Sequence, residues 1–279
     1  MIRLAKKEDE KSLIALWQLA FGDSVSSIER FFASPLYTEH TGLVWEEKGE
    51  VAGAVYLLDA GIMKLSTGEN LKAAYTYALA TYPAFRGKGI GSALTKENKK
   101  RSFQLGYDLH FLRPGEPSLF SYYKTLGFSY SLSIWEEEMR LTESESSSHQ
   151  CQVETVDLEK YLAIRESLLP KERNEYPVAY LRYALGDLGP KGALCILEIE
   201  GETACAFVEK TEEGLFLREV LPQSLAKQVT EVLMVKKGAK KAVFRTEATA
   251  QTGKAFLLAD LAKEGKIDLN LVYSPFVLD

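Results

Sequence analysis

Cysteine and histidine are scarce in this chain, at three of each in 279 residues. Cys151, Cys195 and Cys205 are odd in number and show neither Cys-x-x-Cys spacing nor the histidine partners of a zinc site. They are expected to be small buried hydrophobes. His40, His110 and His149 lie far apart in the sequence, so no histidine-based metal centre is expected and the site is read as metal-free. No apolar stretch approaches the roughly 20 residues needed to cross a bilayer. The first residues, MIRLAKKEDEKSL, are charged from the outset, which is unlike a leader segment. A cytoplasmic protein without a membrane partner is therefore expected. Positive charge is also in deficit: the net charge of −5 disfavours a nucleic-acid partner and favours a cationic or neutral substrate.

The chain does carry 46% hydrophobic and 26% charged residues, the balance of a packed globular protein, and it is long enough for two ordinary domains or one large one. Residues 143–150, ESESSSHQ, lack apolar periodicity and read as a linker between a domain at 1–142 and another at 151–279. In the first, IRLA reads as a strand. Leu13, Leu16, Trp17 and Phe21 follow at helical spacing, and Asp23 is expected to cap a second helix carrying Ile28, Phe31 and Phe32. GLVWEE and VAGAVYLLD form a hairpin across KGE, and AYTYALATY is a third strand. A helix at about 91–106, the strand LHFLR, the helix PSLFSYYKTLG and a strand near SLSIWEEEMR complete the set. From VETV onward the second half repeats the opening of this order, with two helices, three strands, a helix and the strand KAVFR. Such repetition points to a duplicated α+β domain, each copy a mixed, mostly antiparallel sheet flanked by helices.

The segment TYPAFRGKGIGSAL, residues 81–94, follows the apolar strand Tyr77–Ala80 and opens a helix. Glycines at 87, 89 and 91 allow unusual dihedrals and close approach of a ligand, while the N–H groups of the helix start face it. Arg86 and Lys88 add positive charge, as a pyrophosphate requires. A Walker-type loop is excluded, because Gly89 stands where Ser or Thr must follow Gly87-Lys88. A Gly-x-Gly-x-x-Gly dinucleotide fingerprint is excluded by the spacing and by the hairpins upstream. The alternative is a glycine-rich turn with no ligand. Lys96, Lys99, Lys100 and Arg101, further along that helix, read as a solvated face.

Arg86-Gly87-Lys88-Gly89-Ile90-Gly91 resembles the Arg/Gln-x-x-Gly-x-Gly/Ala motif of the GNAT superfamily of N-acetyltransferases, and FSYYKTLGF resembles that family's second motif, a tyrosine four residues before Gly-Phe. The resemblance covers roughly residues 1–140, and the tandem layout is similar to the first two domains of the enhanced-intracellular-survival acetyltransferases. It implies acetyl-CoA as cosubstrate. The thioester and pantetheine would lie along Leu79, Ala80 and Thr81, and the pyrophosphate on Arg86, Gly87, Lys88, Gly89, Ile90, Gly91 and Ser92. Tyr123 would be the general acid for the leaving thiolate, with Tyr122 the better candidate for the core.

Many relatives place a glutamate where this chain has Tyr75 and Tyr77, so the base stays open between the Asp279 carboxylate, His110 and a water chain. An amine would attack the thioester directly, with backbone N–H groups near Leu79 and Thr81 facing the oxyanion. A cysteine route is disfavoured, because all three cysteines lie in the half without the glycine loop. Phe21, Asp23, Phe31 and Phe32 are candidates for the amine pocket, with capping and core packing as their alternative roles. The second half runs LREVLPQSLAKQ where the first has its glycines, and is expected to be a degenerate copy shaping the cleft or a homo-oligomer. The rival reading is a non-catalytic acyl-CoA sensor of the same fold.

Overall fold

The computed structural model describes residues 1–141, 151–247, 254–262, 267, 269 and 272–275. The expected linker, 143–150, and Asp279 lie outside the described residues. The first half runs β1 (Ile2–Leu4), α1 (Glu10–Phe21), α2 (Val25–Ala33), β2 (Gly42–Glu47), β3 (Glu50–Lys64), β4 (Asn70–Thr81), α3 (Ile90–Gln104), β5 (Leu109–Leu112), α4 (Leu119–Thr125) and β6 (Tyr130–Arg140). The second runs β7 (Cys151–Val156), α5 (Leu158–Leu168), β8 (Arg173–Glu175), α6 (Val178–Leu188), β9 (Gly192–Ile199), β10 (Glu202–Lys210), β11 (Leu215–Leu221), α7 (Ala226–Lys237), β12 (Lys241–Glu247) and β13 (Lys254–Leu261). The protein is thus α+β, a mixed sheet with flanking helices.

Local chemistry accounts for the boundaries near the site. Leu13, Leu16 and Trp17 bury one face of α1, which stops at Gly22 (φ 79°), whose N–H returns to the Gln18 carbonyl. The residue that caps α2 is Ser24, whose hydroxyl accepts the Ser27 N–H at 3.2 Å. Asp23 does not cap it, contrary to the sequence reading: its carboxylate accepts the Trp17 indole N–H at 2.7 Å, so a side-chain partner outcompetes the helix start. Lys48 and Gly49, both at positive φ, turn the β2–β3 hairpin.

Strand order is β1-β2-β3-β4-β5-β13-β6-β12-β11-β10-β9-β7, with β8 on β3, so the sheet runs without a break through both halves. Among the described residues, β4–β5 and β11–β12 pair in parallel, and a single parallel bridge joins Arg173 to Tyr273. Strands from the two halves interleave within the sheet. β13, from the end of the chain, pairs with β5 and β6, while β6 pairs with β12. Sequence patterning anticipates neither β13 nor β8. One core cluster spans both halves, from Trp17, Phe31 and Tyr56 to Tyr161, Tyr180 and Phe207. Cys195 and Cys205 are buried and Cys151 half-buried, all as free thiols.

Candidate active site

The site begins where two parallel strands part. β4 and β5 pair from Ala73↔Leu109 to Thr76↔Leu112 and no further. Two residues on, Ala78 has φ 47°, and the β3–β4 register shifts between Ala54 and Tyr56. A β-bulge at this point bends the strand and re-aims its C-terminal end. The edge of β4 from Tyr77 to Thr81 therefore turns away from β5 and borders an opening.

At the end of β4 the chain makes one 3-10 turn, Pro83–Phe85, and then the glycine loop. Gly87 (φ 78°) and Gly89 (φ 76°) hold left-handed conformations, and no other atom stands within 4 Å of where a Cβ would sit on either. Gly89 is the residue before α3 and offers no side-chain cap, so the first N–H groups of a 15-residue helix face the loop. Gly91 differs from the sequence expectation. It has ordinary helical backbone, and a Cβ built there would make an ordinary contact with the Tyr122 hydroxyl at 3.8 Å. The Arg86 side chain donates from Nε to the Thr81 carbonyl at 3.1 Å, tying the loop to the strand end.

Leu79, Ala80, Thr81, Arg86, Gly87, Gly89, Ile90, Gly91 and Ser92 line one cavity of about 520 Å³, closed on its far side by Leu119, Tyr122 and Tyr123. Lys88 is outside it, with its ammonium 5.1 Å from the Phe85 ring centre. A second cavity, of about 420 Å³, shares Leu79, Leu119 and Tyr123 with the first. Its other walls include Trp17, Phe21, Asp23, Tyr75, Tyr77 and Arg113. Phe21 stands at its mouth, 48% exposed. Phe31 and Phe32 do not line it: Phe31 is fully buried against Trp17 and Tyr56, and Phe32 packs on the same aromatic group.

The two tyrosines of α4 also depart from expectation. Tyr123 is the buried one, at 8% exposure, and it packs on Phe128 while its ring borders both cavities. Burial, and to a lesser degree Tyr122, pushes its phenol up to about 12. Tyr122 is half-buried and shares a hydrogen bond of 2.9 Å with the Ser92 hydroxyl on the first turn of α3. A seven-residue helix has too few turns for periodicity to tell which of two adjacent tyrosines faces inward.

His110 is sealed inside the protein. Ser102 spends its O–H on the Lys99 carbonyl (2.7 Å), so it accepts from His110 Nδ1 at 2.6 Å. Thr76 accepts from the Asn98 amide (3.0 Å) and donates to His110 Nε2 at 2.6 Å. Both ring nitrogens are thereby used and the imidazole is neutral. Burial, aided by Lys99, lowers its pKa to about 3. His110 lines neither cavity, which removes it as a base candidate. Among the described residues lining the second cavity, Asp23 carries the single carboxylate. Sequence reasoning misses Arg113; its place at the end of LHFLR, beside the parting strands, is the available signal.

In the second half, after β11, Gln223 bridges the ends of β11 and β12. Its side chain donates to the Val220 carbonyl (2.6 Å) and the Tyr273 hydroxyl (3.1 Å), and accepts from the Glu247 N–H (2.9 Å). Among the described residues, no cluster of His, Cys, Asp or Glu is arranged to hold a metal ion, and no helix is long and apolar enough to cross a membrane.

Residues 1–131 match the family described as acetyltransferase (GNAT) domain. Three solved structures share the fold across both halves. One is a conserved Enterococcus faecalis V583 protein of unknown function, described as a probable N-acyltransferase (TM-score 0.72, 14% identity, covering 94% of this chain and 72% of that one). Another is a GCN5-related N-acetyltransferase from Kribbella flavida (0.69, 14%, 94% and 71%). The third is Eis1 from Mycobacterium abscessus (0.61, 12%, 94% and 74%). No curated protein matches the chain. The chain has the fold of the GNAT-superfamily acetyltransferases.

Proposed function

We propose that the chain is an N-acyltransferase that transfers an acetyl group from acetyl-CoA to a primary amine by direct attack in a ternary complex. One observation carries the reading: the glycine-loop cavity and the aromatic cavity meet at Leu79, Leu119 and Tyr123. A thioester bound from one side and an amine from the other would come together there. The first cavity fits a coenzyme, having uncapped helix N–H groups, left-handed glycines with open space around them, and Arg86 beside the loop. Arg86, Gly87 and Gly89 to Ser92 would hold the pyrophosphate, with Lys88 adding charge at the rim. Leu79, Ala80 and Thr81 would line the thioester and pantetheine arm. Bulged backbone near Leu79 and Thr81 would present N–H groups to the oxyanion. Tyr123 would donate a proton to the departing thiolate.

On the acceptor side Asp23, held by Trp17, would attract an ammonium group, and Phe21, Tyr75 and Tyr77 would pack on the carbon attached to it. With no carboxylate on β4, the amine would enter neutral or lose its proton to water. The second half would be a degenerate copy without a coenzyme site, since LREVLPQSLAKQ has no glycine to form the loop. The missing β4 carboxylate also favours a second reading, an acyl-CoA sensor without turnover. Thiol release from acetyl-CoA, measured over a panel of amines, separates the two. Acceptor-dependent release supports the enzyme, and coenzyme binding with no release on any amine supports the sensor.

A further inference from the structure

The basic run on α3 is not uniformly solvated. Lys96 and Lys100 are exposed, and Lys100 lies 3.6 Å from Glu97, as a surface lysine does. Arg101 donates to the His40 carbonyl. Lys99 is different: its side chain is only 16% exposed, and its ammonium donates to Asp260 Oδ2 at 2.6 Å and to the Leu126 carbonyl at 2.8 Å. The same ammonium stands 4.9 Å from the Phe128 ring centre.

These contacts converge on the end of the helix that carries Tyr123. Leu126 terminates α4, and a cation on its carbonyl satisfies a helix-end acceptor at the negative end of the dipole. The Tyr123 carbonyl takes the N–H groups of Leu126 (2.9 Å) and Phe128 (3.3 Å). The Tyr123 ring meets that of Phe128 at 6.1 Å, nearly edge to face. Gly127, at φ 91°, is where a Cβ would come within 2.7 Å of the Lys99 nitrogen. The Gly-Phe pair after Tyr123 thus makes room for this ammonium and provides the ring beneath it. Asp260 lies on β13, paired opposite His110, and is present only because this strand from the end of the chain lies beside β5.

We infer that Lys99 and Asp260 are positioning residues for Tyr123. The C-terminal half supplies the carboxylate, the carboxylate holds the ammonium, and the ammonium fixes α4 so that the Tyr123 hydroxyl stays where the two cavities meet. An ion pair of this burial is weak evidence of stabilisation by itself, because desolvation offsets much of the attraction. The inference rests instead on what the ammonium grips. It also rests on the reading of Tyr123 as proton donor, so the experiment separates the two.

In the full chain, Lys99→Met should lower kcat for thiol release from acetyl-CoA about 10- to 100-fold, the usual cost of misplacing a catalytic group by about 1 Å. Acetyl-CoA affinity by calorimetry should hardly change. Asp260→Asn, a milder change that keeps the side chain's shape, should do the same to a smaller degree, and Lys99→Arg should recover part of the rate. In a Tyr123→Phe background Lys99→Met should add almost nothing, because the group it positions is gone. Equal losses in both backgrounds, or an unaffected kcat, overturns the inference. A silent Tyr123→Phe overturns it together with the proton-donor reading. A readout without turnover is the ¹³Cζ-tyrosine signal of Tyr123, assigned by its loss in Tyr123→Phe. It should shift or broaden in Lys99→Met, and an unmoved signal counts against the inference.

Discussion

Replacing Tyr123 by phenylalanine keeps the ring and its contact with Phe128 and removes only the hydroxyl. No described residue hydrogen-bonds that hydroxyl, so the folded state loses no internal partner and stability should move by no more than about 0.5 kcal/mol. The effect on turnover follows from acidity. A coenzyme thiol titrates near 8.5 by analogy with cysteine. A phenol at its ordinary value of about 10 would be mismatched to it by roughly 1.5 units. Burial takes Tyr123 to about 12 and widens the mismatch to roughly 3.5 units, which makes it a weaker acid. General-acid catalysis contributes about 10²–10⁴-fold, and so weak a donor belongs at the lower end. The expected loss is about 100-fold in kcat, or ~2.7 kcal/mol of activation free energy. The raised pKa also leaves the phenol protonated throughout the assayable range. The rate should therefore climb with pH until the acceptor amine is neutral, near 7.7–8.0 for α-amines and about 10.4 for lysine-like amines, with no alkaline fall from Tyr123 before about 12. Thiol release with the best acceptor is the assay. Full activity in Tyr123→Phe refutes the role assigned to this residue and leaves the coenzyme cradle untouched.

Tyr122→Phe deletes the 2.9 Å contact with Ser92, worth about 0.5–1.5 kcal/mol, so calorimetry should show acetyl-CoA bound roughly 2- to 10-fold more weakly with kcat nearly unchanged. Gly89→Val forces a β-branched residue to φ 76° and projects its methyls into open space beside the loop; acetyl-CoA affinity should fall at least about tenfold while the fold survives about 1–3 kcal/mol of strain. Unchanged affinity in that variant removes the cradle. His110 should make stability pH-dependent on the acid side. Its folded pKa lies below the unfolded value, so the unfolded chain binds the extra proton. Stability is then complete above about 6.5 and falls by up to ~1.4 kcal/mol per pH unit from there toward about 3. Denaturant melts of wild type and His110→Gln across this window should show a shallower slope in the variant.

The elements around the site are legible in the sequence because their signals are local. The hairpin turn at Lys48-Gly49 and the glycine loop before α3 each announce themselves within a few residues. The features that escape depend on pairs distant in sequence. AFLLADL, residues 255–261, goes unread as a strand, and nothing in it says that it lies between β5 and β6. Lys99 looks like its neighbours Lys96 and Lys100 until Asp260, 161 residues away, is brought to it. Proximity assigns Asp23 to the helix start, and the indole of Trp17, six residues back, claims it instead. The sequence separates Tyr122 and Tyr123 as core and site, whereas Tyr123 is both buried and on the cavity wall.

The interleaved strands bear on why the second half is needed at all. A self-contained first half would close its sheet with β6 beside β5, and the position opposite His110 would belong to β6. Here β13 takes it, with Ala259 opposite Phe111 and Asp260 opposite His110. Leu257 and Ala259 join the core cluster shared by both halves, and Leu258 packs beside Tyr123 and Phe128. Removing the second half would therefore strip β5 of a neighbour, expose its edge and unseat the floor beneath α4. The second half supplies the strand on which the Tyr123 helix rests, which ties the integrity of the site to the whole chain.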